Sequence, residues 1–210
     1  ADMSKLPDPP PLAKLAAVGP EVYPLPADFR LWRIYFQAGP HPTTWQTFRA
    51  WGPTGSRFDP HEPPPRLQPD RAVLYAAVEG LTCVAEVFQD YRRVNRSRGA
   101  PALAAFRTTR PLRLLDLTGE WTTKIGASMA ISTGPHERAR RWARAFFAAW
   151  PDLDGVWYGS SMHGNRPCMA LWGAAQDALP SHPEFNRRLD DPVMHSTIAS
   201  ACSRLGYGLI

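Results

Sequence analysis

The chain of 210 residues has only three cysteines. Cys83, Cys168 and Cys202 stand apart, so they form neither a disulfide framework nor a CxxC metal pair, and a reducing cytoplasm is the compartment that fits. No run of about 20 apolar residues occurs, which excludes a membrane-spanning helix. Asp2, Lys5 and the early prolines interrupt any signal-peptide pattern. The phosphate-cradling Gly-Lys-Ser/Thr sequence, a GxGxxG turn after a strand and the HExxH zinc pair are all missing. The six histidines (His41, His61, His136, His163, His182, His195) show no ligand-like spacing, so no metal site is expected. Long Lys/Arg blocks interleaved with aromatics are lacking too, and direct nucleic-acid binding is not expected.

What is present describes a folded domain. Apolar residues make up 44% and there are eight tryptophans, which excludes a disordered chain. The length suits one domain, read as an N-terminal arm over 1–28 and a main domain over 29–210. The 23 prolines concentrate in that arm and between Pro60 and Pro69, making both regions extended. The net charge of +5 favours phosphate-bearing partners through long-range steering. Arginine outnumbers lysine, which suits bidentate phosphate contacts.

The chain is organised around residues 52–91. Gly55-Ser56-Arg57-Phe58 reads as a glycine turn delivering one arginine. Ala72 to Ala77 reads as a short buried strand carrying Tyr75. In the next segment Leu81, Val84, Ala85, Phe88 and Tyr91 recur at helical spacing, and Glu86 lies off that stripe. One arginine, one tyrosine and one glutamate thus hang on consecutive elements. Taken alone, they read more simply as a surface arginine, a core-edge tyrosine and a solvated glutamate.

Elsewhere, Leu12 to Val18 suits a short helix, and Phe29 to Phe36 a strand with Trp32 and Ile34 inward and Arg33 and Tyr35 facing a cleft or solvent. The arginines from Arg92 to Arg98 read as a solvated helix end. Leu103 to Arg107 and Leu112 to Leu117 read as strands. Thr118 to Gly134 is either a short helix or a mobile loop beside a site. From Pro135 the pattern Ala139, Trp142, Ala143, Phe146 and Trp150 predicts an amphipathic helix stopped by Pro151. The strand Asp154 to Gly159 delivers Ser160 and Ser161, and Cys168 to Trp172 follows as another. A short helix near Glu184 to Leu189, a longer one carrying Ile198, Ala201, Cys202 and Leu205, and an edge strand over Tyr207 to Ile210 complete the reading.

In this order, Leu31-Trp32-Arg33, Gly55-Ser56-Arg57-Phe58, Val73-Leu74-Tyr75-Ala76, Glu86-Val87 and Asp154-Gly155-Val156-Trp157-Tyr158-Gly159-Ser160, with Ala170-Leu171-Trp172, resemble the RES-domain family. Its members are typically toxins of bacterial toxin–antitoxin pairs. The resemblance implies an α+β fold similar to ADP-ribosyltransferases, with two small crossed antiparallel sheets around an NAD cleft. It implies cleavage of the nicotinamide–ribose bond of NAD by hydrolysis or phosphorolysis, with NAD as substrate rather than cofactor and inorganic phosphate as a co-substrate in the second case. An Xre-like helix-turn-helix antitoxin is the implied partner, and a homodimer stays open.

Carried over by position, Glu86, Arg57 and Ser160 are the catalytic candidates, and Arg33, Arg57, Tyr75, Tyr35 and Ser161 the substrate-binding ones. Ile34 stands where the family often has a tyrosine, which is why Tyr35 enters. Ser160 and Ser161 are adjacent, and Tyr158-Gly159-Ser160 fits the family spacing. The Pro-rich insertion between Arg57 and Tyr75 is long for the family. Two other functions remain: transfer of ADP-ribose to a protein, and a non-enzymatic basic binding module using Arg138, Arg141, Arg144 and the Arg92 to Arg98 cluster.

Overall fold

A computed structural model describes residues 5–210. In chain order the elements are α1 (Leu12–Val18), β1 (Val22–Leu25), β2 (Arg30–Phe36), β3 (Trp51–Gly52), β4 (Arg66–Leu67), β5 (Val73–Ala77), α2 (Gly80–Val87), β6 (Arg93–Val94) and β7 (Pro101–Arg107). There follow β8 (Leu112–Asp116), α3 (Trp121–Lys124), α4 (Ala130–Thr133), α5 (His136–Ala149), β9 (Gly155–Gly159), β10 (Pro167–Trp172), β11 (Phe185–Arg188), α6 (His195–Leu205) and β12 (Gly208–Leu209).

Among the described residues, eight strands form one sheet in the order β1-β8-β9-β10-β5-β2-β7-β11. The expected α+β class holds, and the two expected sheets appear as its two halves. β2 and β5 are joined by one residue pair only, Trp32 with Ala77, whereas β2 and β7 pair over seven residues, from Arg30–Arg107 to Phe36–Pro101. A three-strand half and a five-strand half therefore meet at one rung and part beyond it. Pairing is not antiparallel throughout, because β8 and β9 run parallel. Parallel neighbours need a long crossover, and here it carries α3, α4 and α5.

The alternation of the strands is buried on both sides. Ile34, Val73, Ala77, Val156, Tyr158, Cys168 and Trp172 face one apolar cluster. Leu31, Tyr35, Leu74, Ala76, Trp157, Met169 and Leu171 face another. The first is roofed by helices. α5 contributes Ala139, Trp142, Ala143 and Phe146, all buried, and each large side chain so buried stabilises by about 1.5–3 kcal/mol. Gly155 fixes how tightly β9 meets β10: at φ 149° its Cβ would lie 2.2 Å from the Ala170 carbonyl oxygen. No larger residue fits there.

Several expectations change. Of the residues read as an arm, the described ones are built into the domain: α1 is the expected helix, Leu15 and Leu25 are fully buried, and β1 extends the sheet alongside β8. This segment also covers the basic side of α5. Arg138 donates to the Leu6 carbonyl (2.7 Å), Arg141 to Asp8 (2.7 Å), and the Trp142 indole to the Pro7 carbonyl (2.8 Å). α2 stops at Val87, leaving Tyr91 88% exposed, so the following arginines lie on a turn and on β6 rather than at a helix end. The segment near Glu184 is strand β11, because the open edge of β7 pairs with it. Among the described residues no helix is long and apolar enough to cross a membrane, and no group of three or more His, Cys, Asp or Glu is placed to hold a metal ion.

Candidate active site

Where β2 and β5 part, a cavity of about 580 Å³ opens on the helical face of the sheet. That is an ordinary size for a small-molecule site. Its floor is Arg33, Ile34, Tyr75, Ala76 and Ala77, and its walls include Arg57, Glu86, Tyr158, Ser132, His136 and Ser161.

Arg57 is aimed into the cavity by the two residues after it. Phe58 is fully buried and packs against the Tyr158 ring, with centroids 4.4 Å apart. Asp59, also fully buried, accepts bonds from the Thr54 amide (2.6 Å), the Thr54 hydroxyl (2.8 Å), the Tyr75 hydroxyl (3.1 Å) and Arg49. A buried carboxylate with this many donors is well compensated, and it locks the turn that holds Arg57. The Arg57 guanidinium donates to the Gly134 and Ile131 carbonyls at the end of α4. Burial draws it below its ordinary pKa, while Tyr158, Glu86 and Tyr75 act in the opposite sense.

Tyr75 offers its ring to the cavity, but its hydroxyl is engaged by Asp59. Burial and then that carboxylate push its pKa well up, so the phenol stays neutral.

Glu86 sits in the last turn of α2, opposite the buried Thr82, Cys83, Val84 and Ala85. The Ser160 hydroxyl donates to Glu86 Oε1, Gln89 Nε2 donates to the Glu86 carbonyl (2.7 Å), and the Tyr207 hydroxyl donates to the Ala85 carbonyl (3.0 Å). The β9–β10 loop is tied to α2 a second time, by Thr82 and His163 Nδ1 at 2.9 Å.

The residues expected in the site divide accordingly. Arg33, Arg57, Tyr75, Glu86 and Ser161 line the cavity. Ser160 does not. It is 1% exposed, and its oxygen accepts from the Met162 amide (3.1 Å) and the His163 amide (2.9 Å) while its proton goes to Glu86. Its hydroxyl is directed at the carboxylate and the loop amides, not into the cavity. Tyr35 is also outside. It projects from the opposite face of β2, where its hydroxyl bonds to Asn186 and Gln37, each at 2.9 Å.

Arg33 shares that opposite-face parity and reaches the cavity only because the sheet splits beside it. Its Nη1 donates to the Trp45 carbonyl (2.9 Å) and the Thr47 carbonyl (3.0 Å), its Nε is buried without a partner, and burial lowers its pKa to about 10.

Sequence reasoning missed Tyr158, Ser132 and His136. Tyr158 stood inside a quoted motif, and the inward parity of β9 was the available signal. Ser132 is 1% exposed with an unpartnered hydroxyl at the cavity wall. His136 Nδ1 is 2.7 Å from the Gly55 carbonyl. Cys83 and Cys168 also border the cavity, and burial pushes both thiols up, which disfavours the thiolate.

A family model described as the RES domain matches residues 30–192. None of the curated proteins matches the chain. Among solved structures, the chain is similar to one in the crystal structure of the M. tuberculosis MbcT–MbcA toxin–antitoxin complex. The likeness has a TM-score of 0.58 at 16% identity and covers 90% of this chain and 96% of that one. At that identity it speaks for the fold.

Proposed function

We propose, from the premise that this chain belongs to the RES-domain family, that its cleft takes NAD and breaks the nicotinamide–ribose bond. The products are nicotinamide and either ADP-ribose or, with inorganic phosphate, its phosphorylated form. One observation carries this reading: Arg57 and Glu86 face a single hollow, with the rings of Tyr75 and Tyr158 at the same walls. A dinucleotide needs a cation for its pyrophosphate, aromatic surface for its rings, and an anion where positive charge grows on the ribose.

Arg57 supplies the first, because a guanidinium makes paired charge-assisted bonds to phosphate oxygens. Tyr75 supplies ring surface rather than its hydroxyl, which Asp59 holds. Glu86 stabilises the oxocarbenium-like ribose, and Ser160 keeps one of its oxygens in place. Ser161, exposed at the rim, is free to bond the nicotinamide side. Arg33 lies deeper than a phosphate grip requires and acts as a buried cation under the fork. The pyridinium leaves as neutral nicotinamide, so no residue has to protonate it.

In this reading the protein is an NAD-depleting toxin of the cytoplasm. An Xre-like antitoxin restrains it, as a toxin is paired with an antitoxin in the MbcT–MbcA complex.

The test is incubation with NAD labelled in the ADP-ribose moiety, with and without inorganic phosphate, followed by chromatography. Free nicotinamide with labelled ADP-ribose or its phosphate is the expected result. Label retained on protein would turn the reading towards transfer, and intact NAD would overturn it.

A further inference from the structure

The strongest unexplained feature of the cleft is the Ser132 hydroxyl. Buried polar groups are ordinarily hydrogen-bonded, and an unmade bond costs free energy, yet this oxygen is buried, unpartnered and at the cavity wall. The buried Ser132 lies four residues before His136, the first residue of α5. That helix has 14 residues, and no side chain caps its N-terminus. The amides of a first helical turn lack intrahelical partners and carry partial positive charge, so they favour anions. Glu137 in the same turn is neutralised by Arg141 at 2.8 Å.

The region is zipped to the arginine turn. Arg57 donates to the Ile131 and Gly134 carbonyls on either side of Ser132, and His136 Nδ1 meets the Gly55 carbonyl. Since a carbonyl only accepts, Nδ1 carries the proton in that bond. The bond fixes the ring and leaves Nε2 as its other polar atom.

We infer that Ser132 and His136, with Arg57 and the start of α5, form the phosphoryl-binding pole of the cleft. This rests on the NAD reading for its biological ligand. It also fixes that ligand's direction: phosphates lie against α5 and the 55–57 turn, and the reacting ribose lies against Glu86. The same donors would equally hold free inorganic phosphate offered as the attacking group.

The experiment is calorimetric titration of ADP-ribose, and separately of inorganic phosphate, into the parent, Ser132→Ala and His136→Asn proteins, with NAD turnover measured alongside. Ser132→Ala removes a hydroxyl that bonds nothing in the protein, so a purely structural role predicts unchanged or higher thermal stability and unchanged binding. His136→Asn keeps a donor near the Nδ1 position and loses Nε2. Expected is parental folding with ADP-ribose affinity weakened about tenfold in each, as for one bond to a charged group. Loss of phosphate affinity with ADP-ribose binding intact would keep the pole and assign it to the free anion. Parental affinity for both ligands in both variants, or no binding of either ligand to the parent, would overturn the inference. A parent that binds ADP-ribose through these residues yet leaves NAD intact would overturn the catalytic reading alone.

Discussion

Replacing Ser160 by alanine separates support of the fold from support of the chemistry. The hydroxyl makes three bonds in a site only 1% exposed: it donates to Glu86 and accepts from the Met162 and His163 amides. Losing a bond to a carboxylate costs about 1.5–3 kcal/mol, and each amide left dry about 1–3 kcal/mol. Partial relaxation of the loop makes a total near 2–4 kcal/mol the expectation, a fall in Tm of roughly 5–15 °C for a chain of this size. Only the Glu86 bond bears on turnover, so kcat should fall about 10- to 100-fold well below the melting temperature. Glu86→Gln keeps an oxygen that can accept the Ser160 proton, folds as the parent does, and loses about 10²–10³ in kcat. Because the serine acts through the carboxylate, the double variant should be no slower than Glu86→Gln, within about threefold. Single-turnover NAD cleavage followed by chromatography, with thermal melts on the same samples, reads both. Losses that multiply in the double variant would show that Ser160 meets the substrate itself, and the positioning argument would fail.

Arg57→Ala should raise KM for NAD at least about tenfold, as truncation of a buried charge contact costs about 2–5 kcal/mol. Arg57→Lys should not restore it, since a compact ammonium lacks the planar fork that makes paired bonds to phosphate oxygens; calorimetric affinity equal to the parent's would remove Arg57 from the binding role. Tyr35→Phe should cost about 1 kcal/mol in stability and leave NAD turnover within about twofold, and a larger loss of turnover would return Tyr35 to the cleft. Glu184, bonded by Arg30 at 2.7 Å and by Arg107, has its carboxyl held below its ordinary value by those two partners in that order. A lowered folded-state pKa contributes stability above the unfolded value that disappears as pH falls through the folded one. The drop in Tm between about pH 6 and pH 3 should therefore be shallower in Glu184→Gln, and an identical drop would deny the pair any share in acid stability.

Local pattern placed Arg57, Tyr75 and Glu86 on a glycine turn, a buried strand and an amphipathic helix, but it was the order of the motifs resembling the RES-domain family that made them site candidates. It failed at Tyr35 because β2 is covered on both faces, so alternation could not say which face carries the cleft. At Ser160 the limit was different. Spacing placed the hydroxyl correctly beside the cleft, but where its proton goes depends on Glu86, 74 residues away. Ser132 was hidden in the Gly/Ser/Thr-rich stretch before Pro135 and His136 at the start of a helix read only for its apolar stripe; both are brought to the cleft by the β8–β9 crossover, a tertiary fact with no local signature. Glu184 to Leu189 became a strand because an open edge was waiting for it, a long-range demand that outranks local preference.

The fork at Trp32 and Ala77 has one more consequence. Two strands diverging within a single hydrogen-bonded sheet give walls that are already fixed, so a ligand meets a preformed wedge and no pair of bodies has to shut around it. Beside that rung the cavity floor is kept low by Ala77, whose short side chain lies on the helical face of the sheet. Its methyl group acts as reserved space: a leucine there would occupy room that a ligand needs, closing the cleft without touching a single charged group.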